Sequence, residues 1–406
     1  MHVLFLSPGF PAEMPLFVRG LAQVGAKVFG VGDQPAQALP AEAREHLADY
    51  LQVRSFDDEA AIAAELRRWL AGRTLDRVEC SWERLMYLAA NLRAEFGLPG
   101  MTPEQTLVVR DKERMKQAVE AAGLRVPRHG RARTQKEAWA VAERVGYPAI
   151  VKPIDGAGSQ NTFRCNDAQE FQQALEKTRA VPELSVEEFV EGEELTYDTV
   201  CADGRILFED VSWYKPKPMI LAQNAWISMQ NIVLKDIHAE LPRPGVLLGR
   251  QVLKALGFQS GFTHMEWFRT ASGEAVFGEI GGRPPGARLV HAMNYAYDLD
   301  LFKGWAEAVC YGRLSQDTSP KYNASMVFKR AQGPGEVVTE HRGLRELLAR
   351  YGRHIATIEL TPVGERKKDW RKVVVGDGWI VVRHADLATT LEMSEAFVRD
   401  LTVVAG

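Results

Sequence analysis

The sequence predicts two architectures joined in one chain: a doubly wound α/β layer first, then an α+β region built on antiparallel sheet. Through about residue 100, short apolar strands alternate with helix-patterned segments, the order of a parallel sheet covered on both faces. Beyond that point short β-type runs follow one another, separated by Gly192 and by Asp203-Gly204, as antiparallel strands would be. A chain of 406 residues also exceeds one ordinary core, which favours two or three domains.

Val3 to Leu6 reads as a buried strand that turns at Ser7-Pro8-Gly9 into a helix near Pro15 to Val24. Lys27 to Val31 and Tyr50 to Val53 are further strands, and helices are expected over Asp57 to Leu70 and Trp82 to Phe96. This layer lacks GxGxxG, so a dinucleotide-binding dehydrogenase is not indicated. Thr102-Pro103-Glu104-Gln105 is a helix start with cap, Pro and reciprocal Gln, and Thr134-x-x-Glu137 and Asp167-x-x-Glu170 repeat the logic. Between the latter two lies an apolar strand ending in lysine, Ala149 to Pro153. Strands follow at Ser185 to Val190, Leu195 to Cys201 and Ile206 to Val211, and Lys215-Pro216-Lys217-Pro218 reads as a loop. Ser325 to Lys329, Ile355 to Leu360, Val373 to Val375 and Trp379 to Arg383 are strand-like, with a closing helix near Leu387 to Leu401. The expected domains are 1–105, 106–320 and 321–406.

A formal net charge of −3 argues against a broad nucleic-acid surface. Cys80, Cys165, Cys201 and Cys310 form no CxxC pair, which suits a reducing compartment. The first apolar run is too short for a signal segment, and nothing approaches the ~20 apolar residues of a membrane span. A soluble, cytoplasmic protein is expected.

Three segments carry chemistry. In Lys152-Pro153-Ile154-Asp155-Gly156-Ala157-Gly158-Ser159-Gln160-Asn161, a strand delivers a lysine to a glycine loop whose N–H groups could approach phosphate. The plain alternative is an ordinary strand-end turn. Glu187 to Glu194 could offer a strand edge to adenine and a carboxylate to ribose hydroxyls, or be a solvated acidic turn. Gly261 to Phe268 and Ala275 to Gly286 form an expected hairpin that sets Glu266 beside Glu279. Adjacent carboxylates repel unless a cation joins them, and hard oxygens suit Mg²⁺ shared with phosphates. The alternative is a surface hairpin, although Glu279 interrupts an apolar strand.

The order of these parts over residues 105–310 resembles the ATP-grasp superfamily, most closely its carboxylate–amine ligases, and implies that fold with an α/β pre-domain and a small carboxylase-like C-terminal lobe. The resemblance implies that Lys112 and Lys152 reach ATP phosphates, and that Gly156, Gly158, Ser159 and Gln160 belong to the loop over them. It further implies that Glu187, Phe189 and Val190 receive adenine, Glu194 ribose, and Glu266 and Glu279 the Mg²⁺, with Mn²⁺ as the alternative ion. Arg283, Arg288 and His264 become the catalytic candidates, the arginines for an acyl-phosphate or carboxylate. Trp213, Tyr214, Lys215, Lys217 and Trp226 are candidates for an acceptor pocket. Gly281 stands where most relatives carry Asn, and Glu266 where many carry Asp, which bears on how a second metal is held.

The implied function is ATP-dependent coupling of a carboxylate to an amine, an amino acid foremost, with small-molecule substrates and no nucleic-acid or membrane partner. Homodimers are common in that superfamily. Three other readings stay open: a biotin-carboxylase-like enzyme, a nucleotide-binding module without turnover, and an unrelated α/β binding protein.

Overall fold

The computed structural model describes residues 1–155, 161–217, 220, 224, 227–369 and 375–406. Strands β1 (His2–Leu6), β2 (Lys27–Gly32), β3 (Leu47–Gln52) and β4 (Arg77–Glu79) make a parallel sheet in the order β3-β2-β1-β4. Helices α1 (Met14–Gln23), α2 (Ala41–His46), α3 (Glu59–Leu70) and α4 (Met86–Phe96) accompany it. Alternation along β1 explains why both faces need cover: Val3 and Phe5 join one apolar core with Phe17 of α1, while Leu4 and Leu6 join another with Leu66 of α3 and Leu88 of α4.

The expected helix start at Thr102 is a full capping box, and α5 (Pro103–Arg110) follows. The helix breaks at Asp111, whose backbone is extended and whose side-chain Oδ1 caps α6 (Lys112–Ala121) by accepting from the N–H groups of Glu113 and Arg114. A four-stranded antiparallel sheet comes next: β5 (His129–Ala132), β6 (Ala149–Pro153), β7 (Phe163–Cys165) and β8 (Leu184–Glu188), ordered β5-β8-β6-β7. Helices α7 (Gln135–Val145) and α8 (Ala168–Lys177) pack on it through Val141, Ala142, Phe171 and Leu175.

The centre of the molecule is an antiparallel sheet of eight strands in the order β13-β12-β9-β10-β11-β14-β17-β16. These are β9 (Glu193–Ala202), β10 (Arg205–Lys215), β11 (Gln230–Val233), β12 (Gly261–Arg269), β13 (Ala275–Gly281), β14 (Asn323–Lys329), β16 (Ile355–Leu360) and β17 (Gly378–His384). A small ribbon, β15 (Val338–Arg342) with β18 (Thr402–Ala405), stands apart. The helices here are α9 (Arg243–Ala255), α10 (Leu289–Tyr297), α11 (Leu301–Tyr311), α12 (Leu344–Tyr351) and α13 (Leu387–Asp400). One sheet face is apolar: Leu195, Tyr197, Val211, Ile232, Met265 and Trp267 pack against α9. The other carries a buried polar row of Thr196, Asp198, Asp210, Ser212 and His264 before turning apolar again at Val200 and Phe262.

The structure differs from the sequence reading in two ways. Residues 321–406 do not build their own main sheet, because β14 pairs with β11 and so extends the central one. Strand β10 runs on past the expected end at Val211 to Lys215, the first residue of the expected loop. Most of the expected strand Val373 to Val375 lies outside the described residues, and Val375 itself is in a turn. Among the described residues, no helix is long and apolar enough to cross a membrane.

Candidate active site

Helix periodicity brings two lysines to the site. Lys112 and Lys116 lie four apart on α6 and therefore on one face, and both are buried. Lys152, at the end of β6, arrives from the neighbouring sheet. Its ammonium is 3.3 Å from Oε2 of Glu279 and 3.2 Å from Oε2 of Glu187, while the Lys112 ammonium is 3.7 Å from the same Glu279 oxygen. Lys116 donates to Oε1 of Glu187 at 2.9 Å, and the Ser185 hydroxyl donates to that oxygen at 2.7 Å.

The two metal candidates meet through a β-bulge. Glu266 on β12 stands directly opposite Glu279 on β13, and Trp267 opposite Phe277, which leaves Gly278 as the extra residue. In an unbroken strand, positions 277 and 279 would share a face. The bulge turns Phe277 into the apolar core and Glu279 to the lysines. A Cβ at position 278 would lie 2.8 Å from the Glu266 carbonyl oxygen, so glycine fits the tight approach.

The charges settle accordingly. Burial would favour a neutral Glu279, but Lys112, Lys152 and Lys116 outweigh it and hold the carboxyl far below its usual range. Burial acts the same way on Glu187, where Lys116 and Lys152 prevail and bring it to about 2. Glu194 goes the other way: burial and the neighbouring Glu266 and Glu279 charges lift it to about 8, against the pull of Lys217. His264 is also buried, which disfavours its cation, yet Asp198 beneath it raises the ring to about 9. His264 Nδ1 and Asp198 Oδ1 are 2.6 Å apart, and His264 Nε2 is 3.7 Å from Glu266 Oε1.

The donor set fits a hydrated hard cation. Among the described residues no three metal-ligating side chains cluster. Two carboxylates, completed by water and phosphate oxygens, are how Mg²⁺ is commonly held. Burial raises Glu194 most, and the Glu266 and Glu279 charges raise it further, a repulsion that a divalent ion beside them would relieve.

Lys112, Lys152, Glu187 and Glu279 thus form one set of contacts and Glu266 with His264 another, set side by side by the Glu266–Glu279 register, with Glu194 electrically linked to both carboxylates. Arg283 reaches the same small cavity. Arg288 contacts other groups: its guanidinium lies over Trp379 and touches Glu13 and His291. The Phe189 ring is covered by Arg164, and Val190 is buried at the strand edge. Trp213 donates to Glu193 and Lys215 reaches Glu395, while Tyr214 is half-buried near Glu266. Gly156, Gly158, Ser159, Gln160 and Trp226 lie outside the described residues.

Several site residues escaped the sequence reading. Lys116 was signalled by its spacing from Lys112. Asp198 was signalled as a charge inside an apolar strand, since a buried carboxylate needs a partner. Glu83 and Arg110 carried no local signal, because their contacts cross from one domain to the next.

Residues 109–210 match the model of the ATP-grasp domain. The chain is 28% identical over 269 residues to the L-arginine-specific L-amino acid ligase of Bacillus subtilis, a match covering 64% of this chain and 63% of that protein. It is 27% identical over 327 residues to the formate-dependent phosphoribosylglycinamide formyltransferase of Synechococcus sp. (strain RCC307), covering 75% and 76%. The matched stretch therefore spans under two thirds of the amino-acid ligase's own length. Its fold superposes on the crystal structure of L-amino acid ligase from Bacillus licheniformis with a TM-score of 0.79 at 18% identity, covering 100% of this chain and 98% of that one. N5-carboxyaminoimidazole ribonucleotide synthetase from Thermotoga maritima gives 0.72 at 18%, covering 100% and 99%. The matched domain, the relatives and the fold agree: residues 109–210 match an ATP-grasp domain, and the chain as a whole has the fold of ATP-grasp enzymes.

Proposed function

We propose that this protein is an ATP- and Mg²⁺-dependent ligase that phosphorylates a carboxylate and couples it to an amine, an amino acid, releasing ADP and phosphate. The observation that carries the reading is the convergence of Lys112 and Lys152 on Glu279, which faces Glu266 across the hairpin. The likeness to the amino-acid ligase and the ribonucleotide synthetase supports the same chemistry.

Glu266 and Glu279 are the pair suited to Mg²⁺, or Mn²⁺, which when bound neutralises phosphate charge. Lys112 and Lys152 bind triphosphate oxygens, and Glu187 holds Lys152 in place from behind. Glu194 is the carboxyl for ribose hydroxyls. A substrate carboxylate oxygen attacks the γ-phosphorus, the bond to the bridging oxygen breaks, and ADP leaves. The amine nitrogen then attacks the acyl carbon, phosphate departs and the amine loses a proton. Fixed cations aimed at the spreading phosphoryl charge supply most of the acceleration. Arg283 and the charged His264 add to them beside the reacting carboxylate.

The test is ADP release measured over pairs of the proteinogenic L-amino acids and over bicarbonate, with mass spectrometry of products. Amino-acid-stimulated release with an amide product is expected. Bicarbonate-dependent, avidin-sensitive release would assign the carboxylase reading instead, and no stimulated release under any condition would leave a non-catalytic nucleotide module.

A further inference from the structure

Glu83 belongs to the α/β layer, in the short turn before α4, yet its carboxylate points into the ligase cavity. Each oxygen takes a different arginine. Oε2 accepts from Arg283 Nε at 2.7 Å, and Oε1 accepts from Arg110 at the end of α5. Arg110 also reaches Asp155, where β6 runs out towards the glycine loop, and its buried Nε has no hydrogen-bond partner. With Lys112, His264 and Glu279, these groups line one small cavity.

The second constraint on Arg283 is an absence of bulk. Gly281 does not adopt a left-handed backbone, so conformation does not demand glycine there. A Cβ at 281 would instead lie 3.2 Å from Cγ of Arg283 and 3.6 Å from its Nε, a contact that the side chain relieves only by giving a few tenths of an ångström. Arg283 is therefore bounded on one side by the Glu83 carboxylate and on the other by the bare Gly281 backbone. Its guanidinium also donates to the Pro284 carbonyl at 3.0 Å. A long side chain with many rotamers is reduced to few, and the orientation cost of meeting an anion is met in advance.

We infer that Glu83 is a positioning residue: together with the space left at Gly281, it fixes the Arg283 guanidinium, with Arg110 beside it, to receive an anionic substrate group, the reacting carboxylate or its phosphorylated form. The inference rests on the ligase reading above. It gives the α/β layer a part in the chemistry, because the only carboxylate shared by both guanidinium groups among the described contacts comes from that layer. It also explains why a residue with no reactive partner of its own sits in the cavity wall.

Two variants disturb Arg283 by different routes. Glu83→Gln weakens the anchor; Gly281→Ala leaves the anchor and crowds the side chain. Both are assayed by ADP release with whichever L-amino-acid pair is fastest for the wild type, alongside Mg·ATP affinity by calorimetry and the melting temperature. Glu83→Gln is expected to lower kcat/KM for the carboxylate by about ten- to a hundred-fold, and Gly281→Ala, which shifts the side chain less, by about three- to ten-fold. Mg·ATP affinity stays within about twofold, as expected when only carboxylate-side contacts change. In an Arg283→Ala background, Glu83→Gln is expected to add little, since both act through one group. A Glu83→Gln loss that is undiminished in that background, or a Gly281→Ala enzyme equal to wild type, overturns the inference. Wild-type protein inactive with every pair removes the ligase reading and this inference with it. Active wild type with unaffected variants removes this inference alone.

Discussion

Glu187 shows how a single buried carboxylate serves both stability and chemistry. It is 4% exposed and bonded to Lys116, Ser185 and Lys152. Removing its charge takes the carboxylate partner from the fully buried Lys116 ammonium and leaves Lys152, among the described contacts, with Glu279 alone, so Glu187→Gln is expected to cost about 3 kcal/mol in urea unfolding at pH 7. Its folded pKa of about 2 lies below the reference 4.5, so its contribution is present above pH 4.5 and is lost as pH falls towards 2. The variant should flatten that acid limb. Asp210 has the opposite sign: burial and Asp198 lift it from 3.8 to about 8. Stability from its proton is full below pH 3.8 and declines as pH rises through 8. Asp210→Asn is therefore expected to exceed wild type in stability at pH 9, with the difference vanishing at low pH in denaturant titrations. In the lysine–carboxylate cluster, Lys152→Ala and Glu279→Ala are each expected to lower stimulated ADP release by about a hundred- to a thousand-fold.

Among the elements, helix α9 and the bulged hairpin decide the most. Gly245 and Gly249 lie where α9 crosses β9 and β12, and a Cβ at 249 would fall 2.1 Å from Tyr197 Cδ1, in the packed face of the sheet. Alanine gains about 1 kcal/mol in helix propensity over glycine. Overpacking a full core costs about 1–3 kcal/mol, or more. At 2.1 Å the clash wins, so Gly249→Ala is expected to lower the denaturant midpoint although it improves the helix. Cap-bounded helices were legible from composition: Thr102-Pro103 and Thr134 both form reciprocal boxes. Strand β11 and helix α9 were not, since Gln230–Val233 is short and its partners lie far along the chain. The bulge at Gly278 was legible only as a glycine inside a strand, which signals a bulge without giving its register.

At the scale of the molecule, the lysine–carboxylate cluster draws on α6, β6, β8, β12 and β13, and Glu83 ties the α/β layer to it. A ligand bridging those parts binds the folded chain and not the unfolded one. Mg·ADP at a hundred times its dissociation constant is expected to add about 2.7 kcal/mol of apparent stability, read as a rise in melting temperature. Chelation of Mg²⁺ by EDTA and the Glu279→Gln variant should each remove most of that rise. An unchanged rise in both would relocate the metal site.

The primary structure alone determined the alternation of strands and helices in the first hundred residues, the capped helix starts, and the spacing that brings Glu266 opposite Glu279. These are short-range properties: periodicity, side chain-to-backbone caps and hairpin pairing all act within a few residues. Only the tertiary structure decided that β14 and β17 join the central sheet, that Phe277 and Glu279 part to opposite faces, and that Glu83 meets Arg283 two hundred positions away. Such contacts depend on which faces the folded layers bury together, and no local pattern encodes that choice.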